Sequence, residues 1–207
     1  IKAILKMPEV SERFRTAHGR EWNQNDVAIM YQSFEKHLFA SLQDFTTPVP
    51  GVIETMEQLR REGIRIGSTT GYTDAMMKIV QPGAAAQGYT VDCLVTPDHL
   101  PAGRPAPYMI YRNMTELAIP SVDEVVKVGD TIADIREGLN AKVCSVGVIT
   151  GSNELGLTEE EYKTMPEPEL YTLKQEVRER MMAAGAHYVL DNIRELPDLI
   201  HNLMNKK

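Results

Sequence analysis

The sequence predicts an α/β fold: a doubly wound parallel sheet with helices on both faces, preceded by an all-helical segment. Three observations predict it. From Val52 onward, short β-rich apolar runs alternate with amphipathic stretches, the pattern of right-handed crossovers between parallel strands. Before "TTPVPG", Thr46 to Gly51, the residues read as helix alone, so this Pro-rich break is the candidate boundary. The 207 residues are 43% hydrophobic, enough for one α/β core with a small additional domain.

Taken in order, "IKAILKMPEV" reads as the middle or end of an amphipathic helix, with Ile1, Ile4 and Leu5 on one face and no cap ahead of it. The polar "FRTAHGREWNQND" follows, and Asn25 is the expected cap of a long helix. That helix carries Val27, Met30, Tyr31, Phe34, Leu38, Phe39 and Leu42 on one stripe, assigned mainly to a local core. After the break, "VIETMEQLRREG" is a helix closed at Gly63, and "IRIGS" is a strand. "TDAMMKIVQPG" is a helix stopped by Pro82-Gly83. "DCLVT", "EVVKVGD", "VCSVGVI" and the weaker "HYVLD" are strands. "PAPYMIYRNMTELAI", "TIADIREGLNA", "PELYTLKQEVRERMMAAGA" and "NIRELPDLIHNLM" are helices, and Glu159 to Glu161 open a further one after Thr158.

Composition excludes several classes. A net charge of -7, with 25% of residues charged, argues against a nucleic-acid surface and a polybasic membrane anchor. No apolar run approaches the ~20 residues of a membrane span, and no signal-peptide pattern is present. Cys93 and Cys144 lie in apolar runs and read as reduced core residues, so the expected compartment is the cytoplasm.

In a doubly wound sheet, ligands bind beyond the carboxyl ends of the strands. The polar residues there are Ser68 to Tyr72, Asp98 with Gly103-Arg104-Pro105, Gly129-Asp130 with Asp134 one turn on, and Thr150 to Ser152. A hydroxyl and backbone N–H groups at a helix start suit an oxyanion. A guanidinium adds forked donors and fixed charge. An aspartate beside them suits Mg²⁺, which takes carboxylates, waters and phosphoryl oxygens. Together they describe a metal-assisted site for a phosphorylated or phosphonylated substrate, without an evident nucleophile or second metal ligand. The five histidines share no metal spacing and read as structural or surface residues.

The ordered set Thr70, Arg104, Asp130 and Asp134, each after a strand, resembles the haloacid dehalogenase superfamily. "GIRIGSTTGYT", "LVTPDHLPAGRPAPYM", "VVKVGDTIADIREGLNA", "GVITGSNELGLTEEEY" and "AAGAHYVLD" resemble, within it, the phosphonoacetaldehyde hydrolases, essentially end to end. The resemblance implies a haloacid-dehalogenase-like Rossmannoid core, residues 47–207, after the remainder of a helical cap, residues 1–46, both truncated at the N-terminus. It implies hydrolysis of the carbon–phosphorus bond of phosphonoacetaldehyde to acetaldehyde and phosphate with Mg²⁺, in a homodimer. Thr70 and Gly71 would bind the transferring oxygens, Arg104 would balance their charge, and Tyr72 would face the substrate or an imine. Asp130 would hold Mg²⁺ and Asp134 would support its loop. The family's "DxAGT"-like nucleophile strand and its imine-forming lysine are not among these residues; Lys2 and Lys6 come too late to match that lysine. The nucleophile strand belongs between the strand ending near Ser68 and the strand ending at Gly129, so a gap is expected there. The alternatives are a phosphatase or phosphomutase of the same superfamily acting on a small phosphate ester, and an inactive fragment that keeps the fold.

Overall fold

The computed structural model describes residues 1–205. The chain divides into two compact units, Ile1–Thr46 and the remainder from Thr47. The first unit is helical: α1 (Lys2–Leu5), α2 (Pro8–His18) and α3 (Gln24–Ser41), followed by a 3₁₀ turn over Leu42–Phe45. Its α2 was not expected from the polar sequence. Pro8 in the first turn and Gly19 at φ 65 just past the end are the signals that define it. The cap of α3 is Asn23 rather than Asn25. The Asn23 side chain accepts from the amides of Asn25 and Asp26, and the Asp26 carboxylate accepts from the Asn23 amide, a reciprocal capping box. Leu5, Phe14 and Leu42 are buried, whereas Tyr31 and Phe34 are 55% and 54% exposed, so much of the expected core stripe faces outward.

The second unit alternates as α4 (Val52–Arg61), β1 (Gly67–Thr69), α5 (Asp74–Ala86), β2 (Cys93–Val95) and α6 (Tyr108–Glu116). It continues with β3 (Val126–Gly129), α7 (Ile132–Ala141), β4 (Cys144–Val148), α8 (Glu159–Thr164), α9 (Glu167–Ala183), β5 (Tyr188–Leu190) and α10 (Leu196–Met204). Among the described residues, short 3₁₀ turns also precede β3 at Val122–Glu124 and α10 at Ile193–Glu195. Two expectations needed correction. Strand pairing starts at Gly67 rather than Ile64. Helix α5 runs through Pro82 to Ala86. Proline removes one amide donor, but Ala84, Ala85 and Ala86 are the strongest helix formers and carry the helix to a cap at Gln87, with Gly88 in the left-handed region.

Among the described residues all pairing is parallel, and the strands form two sheets, β1-β2 and β3-β4-β5. They share a core. Leu59 of α4, Ile66, Val146 of β4, Leu190 of β5 and Leu196 of α10 cluster, with Val91, Val126 and Val128 packed against them. On β4 the alternate residues point the other way, toward α7 and α9. Ser145 donates to the Ile135 carbonyl, and a Cβ at Gly147 would lie 2.5 Å from Met181 Sδ. Helices therefore cover both faces, and α7 lies very close to the strands beneath it. A Cβ at Gly138 would lie 2.7 Å from Ser145 Oγ and 3.1 Å from Lys127 Cβ. That close approach sets acidic side chains of α7 over β3.

Candidate functional site

The carboxyl ends of β1 and β3 and the loops that follow them carry the charged groups. Beyond β1, the Thr70 amide donates to the Val95 carbonyl, and the Thr70 hydroxyl accepts from the Tyr72 amide at 3.0 Å. This closes a tight turn in which Gly71 is exposed, with open space where a Cβ would be. Thr73 then caps α5, accepting from the Met76 amide. Asp98 accepts from the Asp74 amide, and the Asp74 carboxylate accepts from the buried Thr96 hydroxyl at 2.6 Å.

Arg104, on the loop between β2 and α6, reaches back to β1. Its Nη2 donates to the Thr69 carbonyl and, at 3.0 Å, to the Thr69 hydroxyl. Its Nη1 lies 3.0 Å from Asp134 Oδ1 and its Nε 3.3 Å from Glu137 Oε2. The structure thus brings Arg104 and Asp134 together and puts Arg104 on Thr69, the residue before Thr70.

Asp130 follows β3. Its Oδ2 accepts two hydrogen bonds from Asn153, one from the backbone amide and one from Nδ2, both at 2.9 Å. This holds the carboxylate in one orientation. Asn153 sits in the loop after β4, where Ser152 is buried and accepts from the Leu155 amide, and where the Thr150 hydroxyl meets the Tyr162 hydroxyl at 3.3 Å. Glu154 of the same loop accepts from the Ile132 amide at the start of α7. The loops after β3 and β4 are therefore tied at two points.

Asp134 is almost wholly inside, 2% exposed. Thr131 caps α7 and also donates its hydroxyl to Asp134 Oδ2 at 2.6 Å. Lys127 Nζ lies 2.9 Å from Asp134 Oδ1. Burial pushes the Asp134 carboxyl upward, but Lys127, Arg104 and the Thr131 hydroxyl together outweigh it, and the group titrates below the ordinary carboxylate range. Its stabilisation is complete above the unfolded-state value of about 4 and is lost as pH falls through the lower folded value. The close fit of Gly129 depends on the same residue, because a Cβ there would lie 2.2 Å from Asp134 Cβ. Gly129→Ala is expected to lift the first turn of α7 off β3 and cost about 1–3 kcal/mol, the usual range for overpacking. An unchanged midpoint in chemical denaturation would show that the turn yields freely.

Three residues that strand-end reasoning passed over complete the cluster: Lys127, Glu137 and Asn153. Lys127 lies within β3, 8% exposed, and Glu137 on α7 is fully buried. Lys127 Nζ lies 2.8 Å from Glu137 Oε2 and donates to the Thr69 hydroxyl at 2.7 Å. The Thr69 hydroxyl in turn donates to Glu137 Oε2 at 3.0 Å. A signal did exist: a lysine between Val126 and Val128 in an apolar run must point to the face opposite the valines, where only a charged partner makes its burial tolerable. Among the described residues, no group of three or more His, Cys, Asp or Glu side chains is placed to hold a metal ion. Asp130 is a single carboxylate at a strand end, and Asp134 is committed to cations. Cys93 and Cys144 are free thiols, half-buried, with burial pushing both upward. No helix among the described residues is long and apolar enough to cross a membrane.

Comparison with known proteins gives the family. The haloacid dehalogenase-like hydrolase family matches residues 6–142. A phosphonoacetaldehyde hydrolase of Parabacteroides distasonis is 69% identical over 206 residues, covering the whole chain and 78% of that protein. One from Bacillus cereus is 45% identical over 203 residues, 98% of the chain and 77% of that protein. Among solved structures, a phosphonoacetaldehyde hydrolase-like protein from Oleispira antarctica superposes with a TM-score of 0.91 at 30% identity, covering 99% of this chain and 74% of that one.

Proposed function

We propose that this chain, which belongs to the haloacid dehalogenase-like hydrolases and among them to the phosphonoacetaldehyde hydrolases, serves to cleave the carbon–phosphorus bond of phosphonoacetaldehyde, giving acetaldehyde and phosphate. The observation that carries this reading is 69% identity along the full length of the chain to a protein of that name. The charged strand ends agree with it. The turn Thr70-Gly71-Tyr72, just before the Thr73 cap of α5, offers the exposed Gly71 N–H and open space to an oxyanion. Arg104, the more exposed cation of the cluster, balances the charge of the transferring group, and Tyr72 faces the organic part of the substrate.

Asp130 fits magnesium as one carboxylate of a mostly water- and substrate-filled shell, since Asn153 fixes Oδ2 and Oδ1 accepts no hydrogen bond among the described residues. Magnesium bound there would supply positive charge to the phosphoryl oxygens. Asp134 takes no part in ligation in this reading. It holds the start of α7, and so the loop bearing Asp130, against β3.

Departure of a carbon leaving group needs an electron sink, and an imine between a lysine and the substrate aldehyde supplies one. Phosphoryl transfer needs an acceptor, here an aspartate carboxylate, from which water then releases phosphate. In this reading both groups come from residues outside these 207, the aspartate on a strand lying between β1 and β3. The first unit is part of the cap, and the exposed Tyr31 and Phe34 on α3 favour the homodimer that the resemblance implies. A cytoplasmic location agrees with the same reading.

The test is an assay of the complete protein that carries this chain. Equal release of acetaldehyde and phosphate from phosphonoacetaldehyde, with inactivation by borohydride only in the presence of substrate, is expected, from a preparation whose mass in solution is that of a dimer. Turnover of small phosphate esters without attack on phosphonoacetaldehyde would assign the chain to a phosphatase or phosphomutase instead.

A further inference from the structure

Under the phosphate-binding turn lies a buried set of four charges whose arithmetic is informative. Asp134 and Glu137 carry two negative charges, and Lys127 and Arg104 carry two positive ones. The two cations are not equivalent. An ammonium has three donors and no acceptor, and Lys127 aims all three, at Thr69 Oγ1, Asp134 Oδ1 and Glu137 Oε2, within 2.7, 2.9 and 2.8 Å. It is saturated and, at 8% exposure, has no route to a ligand. Arg104 is different. Its Nε is buried without a hydrogen-bond partner, its side chain keeps 21% of its surface open, and its contacts with the two carboxylates duplicate those Lys127 already makes.

We propose that Lys127 is a positioning residue that holds the charge of Asp134 and Glu137, so that Arg104 can turn from these carboxylates to the phosphoryl oxygens of the substrate. The inference rests on the reading of Arg104 as the anion-binding cation. Without Lys127, two buried carboxylates would face one cation, and Arg104 would be held by both. With Glu137 neutralised, the set would carry one excess positive charge, and Arg104 would be freer than in the parent. Lys127 has a second duty: its bond to the Thr69 hydroxyl fixes the last residue of β1, from which the Thr70 turn starts.

Inorganic phosphate, the anion product, is the probe. Its inhibition constant against phosphonoacetaldehyde is measured in the complete protein. Lys127→Met is expected to weaken phosphate binding by about tenfold, in proportion to one uncompensated charge in a partly screened site, with a larger change in KM than in kcat. Glu137→Gln, nearly the same in shape, is expected to tighten phosphate binding severalfold. Damage to the fold alone cannot produce that sign. The double variant Lys127→Met/Glu137→Gln restores the charge balance and is expected to return to within about threefold of the parent. It also serves as the decisive protein should Lys127→Met fail to fold. Arg104→Ala separates the two layers of the argument. If it binds phosphate as the parent does, the reading of Arg104 falls and the proposal with it. If Arg104→Ala is defective but Glu137→Gln binds phosphate more weakly than the parent, or the double variant stays tenfold weak, the proposal alone is overturned.

Discussion

Asp130→Asn is expected to reduce kcat/KM by about 10²–10³-fold, the range seen when one pre-organised electrostatic contact to the developing charge is lost, and to remove most of the response to added magnesium. The substitution keeps the shape and one oxygen but deletes the negative charge at the end of β3. Both Asn153 donors converge on Oδ2 at 2.9 Å, so the retained amide oxygen takes that place and keeps both bonds, which leaves an Nδ2 donor where Oδ1 would meet a cation. Asp134→Asn makes the contrast. That residue is 2% exposed, receives Thr131, Lys127 and Arg104, and breaking such a set removes stability, by about 3–5 kcal/mol for a buried pair left uncompensated. The two aspartates lie four residues apart on one segment and are expected to fail in different ways, one in metal dependence and the other in unfolding midpoint. Magnesium titration of initial rates, run on Asp130→Asn, Asp134→Asn and the parent, reads the difference. The same magnesium affinity in Asp130→Asn and the parent would remove Asp130 as the ligand.

How much of this could be read from the sequence depends on the range of the interaction concerned. Helix and strand identities after Val52 followed from hydrophobic period, which is local. Misreadings arose where a local rule met a competing local term: Pro82 was outweighed by the alanines after it, and the cap fell on Asn23 because Asp26 completes the reciprocal bonds there. Thr70, Arg104, Asp130 and Asp134 were legible as polar residues after apolar runs, since strand ends converge in any doubly wound sheet. Lys127 was legible only as a strand cation in need of a partner, and Glu137 was not legible at all, because the pairing depends on how close α7 comes to β3. Gly138 and Ser145 set that distance, and no periodicity reports it. Asn153 was hidden for a similar reason. Its partner Asp130 is 23 residues away, and the two meet only when β3 and β4 pair in register. The exposed Tyr31 and Phe34 show the converse: an amphipathic stripe says that a face is apolar and leaves open what covers it.

The 207 residues prepared by themselves are expected not to unfold as a cooperative monomer. The reason lies at the centre of the core unit, where β1 and β3 belong to separate sheets. On β1, Ile66 accepts from Asp92 and Thr70 donates to Val95, so those residues face β2, and the alternation turns Gly67 and Thr69 to the other edge. No strand among the described residues pairs with that edge. What reaches it are side chains: Arg104 donates to the Thr69 carbonyl, and Lys127 to the Thr69 hydroxyl. Only Arg104 thus meets a backbone group of that edge, where a strand would supply regular amide and carbonyl partners. Each buried backbone group left without a partner costs about 1–3 kcal/mol, and an entire domain holds only about 5–15 kcal/mol in reserve. Gly67 is exposed and Thr69, Val126 and Val128 are half-buried, so water meets part of this demand, and what the gap chiefly removes is the pairing and packing of a central strand. The chain spans 78% of the length of its Parabacteroides relative, so a longer protein is the natural comparison. Chemical denaturation followed by two probes, with the mass in solution measured alongside, compares the 207-residue chain with the complete protein. The isolated chain is expected to show a broad, low transition with non-coincident probes, or to associate through its open edges. A 23.2 kDa monomer that unfolds in a single sharp transition at the midpoint of the complete protein would mean that the two sheets, joined by their shared apolar cluster and the Lys127–Arg104 charges, suffice as a core.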